Sequence, residues 1–259
     1  TSIYYADGVI PMLPVSLSNE ACSLKPDEPR LTLSAIMDFD HEANFISGTL
    51  HPSVIKSQRR FTYTEVHQML EEEKEDPLMQ TLTDMHRLSQ LLRQKRFKNG
   101  SVDFQVPEPE IHIDSAGHVE RIGIAEHNSA HELIEEFMLA ANQFVALNLH
   151  ERGIPSIHRI HEAPDPERLR GFNEYIDSFG LKIPSPVRST DLQALLEKIN
   201  DRPEERVVNT LLLRTMKKAR YSETDPGHFC LGFPHYAHFT SPIRRYPDLM
   251  VHRIIKKYL

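Results

Sequence analysis

The 259-residue sequence has only two cysteines, Cys22 and Cys230, which lie far apart and form no CxxC spacing. This scarcity excludes a disulfide-rich scaffold and a cysteine-based zinc site, and it predicts two buried free thiols in a reducing compartment. No run approaches the roughly 18 apolar residues of a membrane-spanning helix. No basic segment followed by an apolar one indicates a secretory signal. We therefore expect a cytoplasmic protein without a membrane partner.

Common catalytic motifs are also missing, because the chain contains no P-loop, no GxSxG and no GxGxxG. Its only Asp-x-Asp lies in "DFDHE" (38–42), which has the composition of a hairpin turn. His127 and His131 are spaced i,i+4, and "HRIH" (158–161) holds a second pair, but neither pair has cysteines or carboxylates at zinc-like spacing. Spacing alone therefore assigns no residue to a metal.

The composition is that of an ordinary globular protein, with 39% hydrophobic residues, 26% charged residues and a formal net charge of −7. This net charge argues against a protein whose whole surface binds nucleic acid. The last fifty or so residues are nevertheless rich in arginine and lysine, whereas acidic runs such as "EEEKED" (71–76) lie elsewhere. The asymmetry predicts a local basic site on an acidic body.

Periodicity and turn residues predict a single α+β domain whose strands come mostly early in the chain. Two strands joined by the "DHEAN" turn predict a hairpin, and capping-box spacings at Thr62/Glu65 and Ser129/Glu132 predict two helix starts. The helix through 132–153 is apolar on more than half of its circumference, so we expect it to be central. Strands are predicted over 31–39, 45–55, 102–106, 111–113 and 119–125, and helices from Thr62, from Leu78 to Asn99-Gly100, from Ser129, from Asp165 to Gly180, from Thr190, over 204–221 and from Ser241.

The segment "HYAHFTSPIRRYPDLMVHR" (235–253) carries two adjacent arginines. With Ser241 as N-cap and Pro242 at the first helical position, Arg244 and Arg245 would lie in the first turn of a helix. The positive end of the helix dipole disfavours arginine, so two arginines there indicate a held anion. Helix N–H groups, a hydroxyl and a guanidinium together make a phosphate site. An ordinary surface pair of ion-paired arginines stays open as the alternative.

Aromatic residues recur on predicted loops and helix starts, where they could stack nucleic-acid bases or simply pack in the core. Glu135 and Glu136 are adjacent on the central helix. A carboxylate buried there needs a partner such as Arg244, while the other of the two could face solvent. The aromatic set comprises Tyr4, Tyr5, Tyr63, Phe104, Tyr236 and Phe239.

The segment "HFTSPIRRYPDLMVHR" (238–253) resembles the signature of the ribonuclease II/ribonuclease R family in its RNB catalytic domain. The resemblance covers essentially all 259 residues and implies an RNB-type α+β fold. It also implies processive 3′→5′ hydrolysis of single-stranded RNA to nucleoside 5′-monophosphates with Mg²⁺. Four further segments are similar to family segments in the same order: "YYADGVIPMLPVSLSNEACSLKPDEPRLTLSAIM" (4–37), "FTYTEV" (61–66), "LIEEFMLAANQFVA" (133–146) and "IHRIHEAPDPERL" (157–169).

The resemblance implies catalytic roles for Arg244 at the scissile phosphate, and for Tyr63 and Glu135 near the 3′-terminal nucleotide. It implies RNA contacts for the aromatic clamp residues Tyr4 and Phe104, and for Ser241, Arg245 and Tyr246 beside the catalytic arginine. Loss of the Arg244 guanidinium should therefore cost rate more than binding.

The family's metal-binding aspartates lie in an Asp-rich element upstream of the position of Thr1. The resemblance therefore implies that residues 1–259 are a partial RNB domain, without the family's cold-shock and S1 modules. We expect Mg²⁺, or Mn²⁺, to be held by that upstream element, and we expect the chain alone to be monomeric and inactive. The alternative is a non-catalytic RNA-binding or scaffolding relative.

Overall fold

The computed structural model describes residues 1–72, 75–102, 104 and 108–259 and confirms the α+β class. A one-turn π-helix, Ser16–Ala21, and a 3₁₀ turn, Phe229–Leu231, complete the described elements. The strands are β1 (Ile3–Tyr5), β2 (Gly8–Ile10), β3 (Pro29–Phe39), β4 (Phe45–Lys56), β5 (Pro109–Ile113), β6 (Val119–Ile124), β7 (His158–Ile160) and β8 (Arg220–Ser222). The helices are α1 (Tyr63–Glu72), α2 (Met79–Lys98), α3 (Ser129–Glu151), α4 (Pro166–Asp177), α5 (Ser189–Ile199), α6 (Glu205–Thr215) and α7 (Tyr246–Tyr258).

The described strands pair two by two and antiparallel, as three hairpins (β1–β2, β3–β4, β5–β6) and the distant pair β7–β8. The predicted hairpin is confirmed as β3–β4. Its turn is closed by Asp40, whose Oδ1 accepts the N–H groups of Glu42 and Asn44 at 2.9 and 2.7 Å. Asp38 accepts a hydrogen bond from Ser47. Both aspartates therefore stabilise the β3–β4 hairpin, as the turn-like sequence "DFDHE" predicted.

Several helix boundaries are confirmed by their caps. Glu65 N–H donates to Thr62 Oγ1 at 3.2 Å, Asp165 Oδ1 accepts Glu167 N–H at 3.0 Å, and Gly100 leaves α2 with a φ of +93°. A carboxylate or hydroxyl at an N-cap replaces the missing helical acceptor, and glycine adopts a left-handed φ without strain.

Four sequence-based boundaries are wrong or untested. The cap of α3 is Asn128 with His131 rather than Ser129 with Glu132, because the Asn128 side chain accepts the N–H groups at the helix start. The helix predicted over 204–221 ends at Thr215, and residues 220–222 form β8 against β7. Helix α5 begins at Ser189 rather than Thr190. The strand predicted over 102–106 lies largely outside the described residues, and Val102 is not in a strand.

Helix α3 is central, as predicted, and fully buries Val145 and Ala146. Its C-terminal half packs with α7 and the β3–β4 hairpin, through a cluster that includes Phe144, Leu149, Phe239, Val251 and Ile255. A second, larger cluster fills the space among α4, α5 and α6. The helix therefore connects the hairpin to the C-terminal segment that carries the arginines.

Gly48 permits the close approach of the β3–β4 hairpin to α3. A Cβ atom at Gly48 would lie 2.6 Å from Cε2 of Phe144, whose side chain is buried. We expect Gly48→Ala to lower the free energy of unfolding by about 1–3 kcal/mol, because the ring must move in a filled core. Urea denaturation measures this. Gly8→Ala is the matched control, since no atom lies within 4 Å of its Cβ position; equal effects of the two variants would contradict the prediction.

Both cysteines are free thiols, and the expectation that both are buried is wrong for Cys22, which is exposed beside the π-helical turn. Burial raises the pKa of the Cys230 thiol to about 12. Across the described parts of the chain, no helix combines the length and the apolar character needed to cross a membrane.

Candidate active site

The two arginines lie in a turn that precedes α7, and not in its first turn as predicted. Ser241 is not the N-cap: its carbonyl oxygen accepts the N–H groups of Arg244 and Arg245 at 3.2 and 3.0 Å. Helix α7 begins at Tyr246, with Pro247 in its first turn. Proline suits this position because it lacks an N–H group that would have no helical acceptor, so it sets the helix start five residues after Ser241.

Asp248 organises this turn from inside the protein. Its carboxylate is fully buried, and it accepts Ser241 N–H at 2.8 Å and two N–H groups of Arg245, from Nε at 2.9 Å and Nη2 at 2.6 Å. The Arg245 guanidinium is therefore engaged in an internal ion pair. The RNA contact predicted for Arg245 stays a prediction, as does that of the buried Ser241.

Arg244 has the opposite environment. It is exposed, and among the described residues its side chain forms no hydrogen bond or ion pair. Its main chain is fixed, because its carbonyl oxygen accepts the N–H of Ser2 at 2.9 Å. The ion-paired alternative that the sequence left open therefore applies to Arg245 and not to Arg244.

The Ser2 hydrogen bond also brings Tyr4 to the same region. Ser2 is buried, and its Oγ accepts Met12 N–H at 2.9 Å, which fastens the β1–β2 hairpin at its base. Tyr4 follows two residues later on β1, with 58% of its surface exposed. An exposed ring thus lies on a short hairpin hydrogen-bonded to the Arg244 turn, which suits a base-stacking residue.

Tyr63 and Glu135 both lie at the N-terminal end of α3, each beside a histidine. The Tyr63 ring stacks on His131 with centroids 4.0 Å apart. Glu135 lies one turn further along α3, half exposed, with Oε2 3.6 Å from His127 Nε2. The structure therefore brings together the two residues predicted to lie near the 3′-terminal nucleotide.

The buried carboxylate on α3 is Glu136, and its partner is Arg96 of α2 rather than Arg244. Arg96 Nε donates to Glu136 Oε1 at 3.1 Å, and the two side chains are 9% and 3% exposed. The solvent-facing glutamate is Glu135, as the open alternative allowed. The pair lines an apolar cavity of about 340 Å³ between the β3–β4 hairpin, α2 and α3, and neither Arg244 nor Tyr63 lines it.

The remaining predicted RNA contacts are more scattered. Phe104 is partly buried against the core of α4, α5 and α6, a cluster that does not include Tyr4. Tyr246 is exposed at the first position of α7. Tyr236 and Phe239 are buried, so core packing is the correct interpretation for these two rings.

Asn142 is a positioning residue that the sequence analysis missed. It is 2% exposed on α3, and its Oδ1 accepts the N–H groups of Phe239 and Thr240 at 2.8 and 3.2 Å. Its Nδ2 donates to the Tyr236 hydroxyl at 3.1 Å. A buried amide with this full set of partners fixes the segment that enters the Arg244 turn. A polar residue within the apolar "LAANQFVA" was the available signal.

His238 lies beside the arginine turn and is kept neutral. Its pKa is lowered to about 4, mainly by burial; the positive charges of Arg245, Arg159 and Arg244 act in the same direction, and Asp248 opposes them. Tyr221 OH lies 2.8 Å from His238 Nδ1, and the Arg159 guanidinium lies 5.0 Å from the centre of the Tyr221 ring. The charge near the turn therefore comes from arginines, which keep it at any physiological pH.

We expect His238 to make the protein less stable in acid. Between pH 6.5 and about 4 the unfolded state binds a proton at this residue and the folded state does not, so stability is complete above that window and falls as pH decreases through it. The slope is at most about 1.4 kcal/mol per pH unit, and less for a partly exposed ring. Denaturant midpoints measured from pH 4 to 7 test this. His238→Gln should flatten the slope; the exposed His118→Gln should not, and a slope unchanged in both would contradict the prediction.

The site does not fit Mg²⁺ with the residues that the structure describes. Among them, the only three potential ligands whose ligand atoms converge are His150, Asp225 and His235, a nitrogen-rich set. Mg²⁺ prefers carboxylate and water oxygens. Asp38 and Asp40 do not substitute, because both are hydrogen-bonded within the β3–β4 turn.

Comparison with known proteins places the chain in a family. The family model described as RNB domain matches residues 1–259. Ribonuclease R of Aquifex aeolicus is 41% identical over 263 residues, covering 99% of this chain and 37% of that protein. Mycoplasma genitalium RNase R, solved in complex with ribose-methylated single-stranded RNA, matches with a TM-score of 0.96 and 34% identity over 100% of this chain and 42% of that one. Yeast Ssd1, a pseudonuclease, shares the fold, with a TM-score of 0.79 and 22% identity over 99% of this chain and 32% of that one.

The chain thus spans 32% to 42% of the length of these three proteins. The family model and the 41% identity agree with the motifs quoted from the sequence, and the TM-score of 0.96 confirms the RNB-type α+β fold. The chain belongs to the ribonuclease II/ribonuclease R family.

Proposed function

We propose that this chain is part of an exoribonuclease that hydrolyses single-stranded RNA processively from the 3′ end and releases nucleoside 5′-monophosphates. The observation that carries the proposal is that the two adjacent arginines have different environments. Arg245 is neutralised by the buried Asp248, whereas Arg244 is exposed and without a side-chain partner among the described residues. The ribonuclease R names of its relatives support the same class of activity.

Arg244 is the proposed catalytic residue at the scissile phosphate. A guanidinium offers a planar fork of N–H donors that matches two phosphate oxygens. As the attacking oxygen adds, negative charge grows on these oxygens and the fork binds them more tightly than in the ground state. The hydrogen bonds of Ser2, Ser241 and Asp248 hold the turn in place beforehand, so little reorganisation accompanies the reaction.

The other proposed residues hold the 3′ end of the RNA. Tyr63 and Glu135 would contact the terminal nucleotide, because a phenol and a carboxylate accept hydrogen bonds from ribose hydroxyls. Tyr4 and Phe104 would stack on bases, at about 1–3 kcal/mol per base. Ser241, Arg245 and Tyr246 would line the path of the RNA backbone beside Arg244. The proposal includes action as a monomer in the cytoplasm.

Hydrolysis of this kind requires a metal-activated water. We propose Mg²⁺, or Mn²⁺, held by carboxylates other than those of the described residues. It follows that the chain by itself should bind RNA without cleaving it. The competing function is that of a protein that binds RNA without cleaving it. One observation favours it: the described residues contain no cluster of oxygen ligands suited to Mg²⁺.

The test combines binding and cleavage of one 5′-labelled single-stranded RNA, incubated with the chain in Mg²⁺ or in EDTA. Binding that weakens when the 3′-hydroxyl is replaced by a phosphate supports recognition of the 3′ end. Shortening from the 3′ end in Mg²⁺ alone would establish the exonuclease activity and contradict the expected inactivity of the isolated chain. Absence of binding in both conditions would overturn the proposal. Binding that is indifferent to the 3′ end would favour the non-catalytic alternative.

A further inference from the structure

A second cluster of polar side chains lies away from Tyr63 and Glu135, where the C-terminal end of α3 meets the loop after β8. It consists of His150 on α3, Asp225 and His235 on the loop, and His158 on β7. One ligand atom from each of His150, Asp225 and His235 lies within 4.8 Å of the other two. His235 Nδ1 is 2.6 Å from Asp225 Oδ2, and the rings of His150 and His235 stack with centroids 3.7 Å apart.

Two polar atoms in this cluster lack partners that their burial requires. Asp225 Oδ1 and His158 Nδ1 are buried and form no hydrogen bond with any described protein atom. His158 is only 7% exposed, and its Nδ1 lies 3.3 Å from Asp225 Oδ2 without hydrogen-bonding alignment. Burying such groups unpaired is costly, and a bound ion is one of the standard explanations.

We propose that His150, Asp225 and His235 bind a structural Zn²⁺ ion, with His158 orienting the Asp225 carboxylate from behind. Two imidazole nitrogens and one carboxylate oxygen form a typical zinc set, and a water molecule completes the tetrahedron. Hard ions such as Mg²⁺ and Ca²⁺ are poor occupants, because two of the three ligands are nitrogens.

The geometry allows the site to close around the ion. Ligand atoms about 2.0–2.2 Å from a tetrahedral metal lie roughly 3.3 Å from one another. Since the three ligand atoms lie within 4.8 Å of one another, no separation has to shorten by more than about 1.5 Å. The exposed side chain of His150, on the last turn of α3, can supply this movement by a change of rotamer.

The ion would connect parts of the chain that are 75 and 85 residues from His150. His235 directly precedes the segment that runs through Tyr236 and Phe239 into the Arg244 turn, and Asp225 lies ten residues before His235. Zn²⁺ would hold the start of that segment to α3, while Asn142 holds its end to the same helix. The site is thus a structural clip behind the arginine turn, and it does not depend on the proposed RNA cleavage.

The experiment is a Zn²⁺ titration of the chelator-treated chain against a chromophoric competing chelator. We expect one Zn²⁺ per chain and a higher melting temperature with Zn²⁺ than with EDTA. His150→Ala and Asp225→Asn should each weaken Zn²⁺ binding at least tenfold and abolish the rise in melting temperature. His118→Ala, an exposed histidine beside Asp114, is the matched control and should bind like the parent chain.

Co²⁺ provides an independent readout, because its visible absorption distinguishes tetrahedral from octahedral coordination. A tetrahedral spectrum that Asp225→Asn alters supports the site. The proposal is overturned by no stoichiometric binding, by an octahedral spectrum, or by binding that both variants leave unchanged. His150→Ala removes an exposed side chain, so this variant decides the question even if Asp225→Asn does not fold. Equal melting temperatures of His150→Ala and the parent chain in EDTA verify that the variant is folded.

Discussion

Replacing Arg244 by alanine should lower the rate of RNA cleavage about 10²–10³-fold, with a much smaller change in the Kd for RNA. The reason is the distribution of charge: Arg245 is paired with Asp248, so Arg244 is the adjacent guanidinium left to meet a phosphate. Single-turnover cleavage of 5′-labelled RNA in Mg²⁺ separates the rate of the chemical step from binding. The measurement uses the proposed metal-containing exoribonuclease, with this chain present in full.

Arg253→Ala is the matched control for this prediction, because Arg253 is exposed on α7 and the change in net charge is the same. It should leave the rate within about twofold. Arg244→Lys should recover only part of the rate, since an ammonium keeps the charge without the bidentate fork. A loss that appears wholly in Kd, or an equal loss in Arg253→Ala, would show that Arg244 acts only by general attraction of RNA.

Replacing Asp248 by alanine should lower the free energy of unfolding by about 3–5 kcal/mol. The carboxylate has no exposed surface, and it accepts hydrogen bonds from Ser241 and from two nitrogens of Arg245. Its removal leaves the buried Ser241 N–H without its acceptor, and it leaves the mostly buried Arg245 guanidinium with the 3.4 Å hydrogen bond to Thr240 Oγ1 but without its ion-pair partner. Urea denaturation followed by circular dichroism measures the loss.

The same variant should also reduce cleavage, because the turn that presents Arg244 loses its internal anchor. Asp248→Asn keeps the shape and one acceptor, so its loss of stability should be smaller. Glu223→Ala removes an exposed carboxylate close to β8 and should change stability by less than about 0.5 kcal/mol. A loss below about 1 kcal/mol in Asp248→Ala would mean that the ion pair contributes no net stability.

The sequence by itself determined the elements whose signals are local. The β3–β4 hairpin follows from two strand-like segments and an Asp-containing turn, and α1 follows from the Thr62–Glu65 capping box. The α+β class and the family motifs were also readable, because they depend on short segments in a fixed order. At the start of α3 the sequence predicted Ser129 as the cap, and the side-chain hydrogen bonds show that the cap is the preceding residue, Asn128.

Only the tertiary structure decided which of two neighbouring residues is buried and what it contacts. Arg245 is the internal arginine because Pro247 delays the start of α7 and leaves Asp248 beneath the turn. Glu136 rather than Glu135 is buried because α2 brings Arg96 to that side of α3.

The joining of residues far apart in sequence was likewise decided by the fold, in the link between Ser2 and Arg244 and in the approach of His150 to Asp225 and His235. Hydrophobic period and turn chemistry act over a few residues, whereas these contacts arise when separately formed helices and hairpins pack against one another.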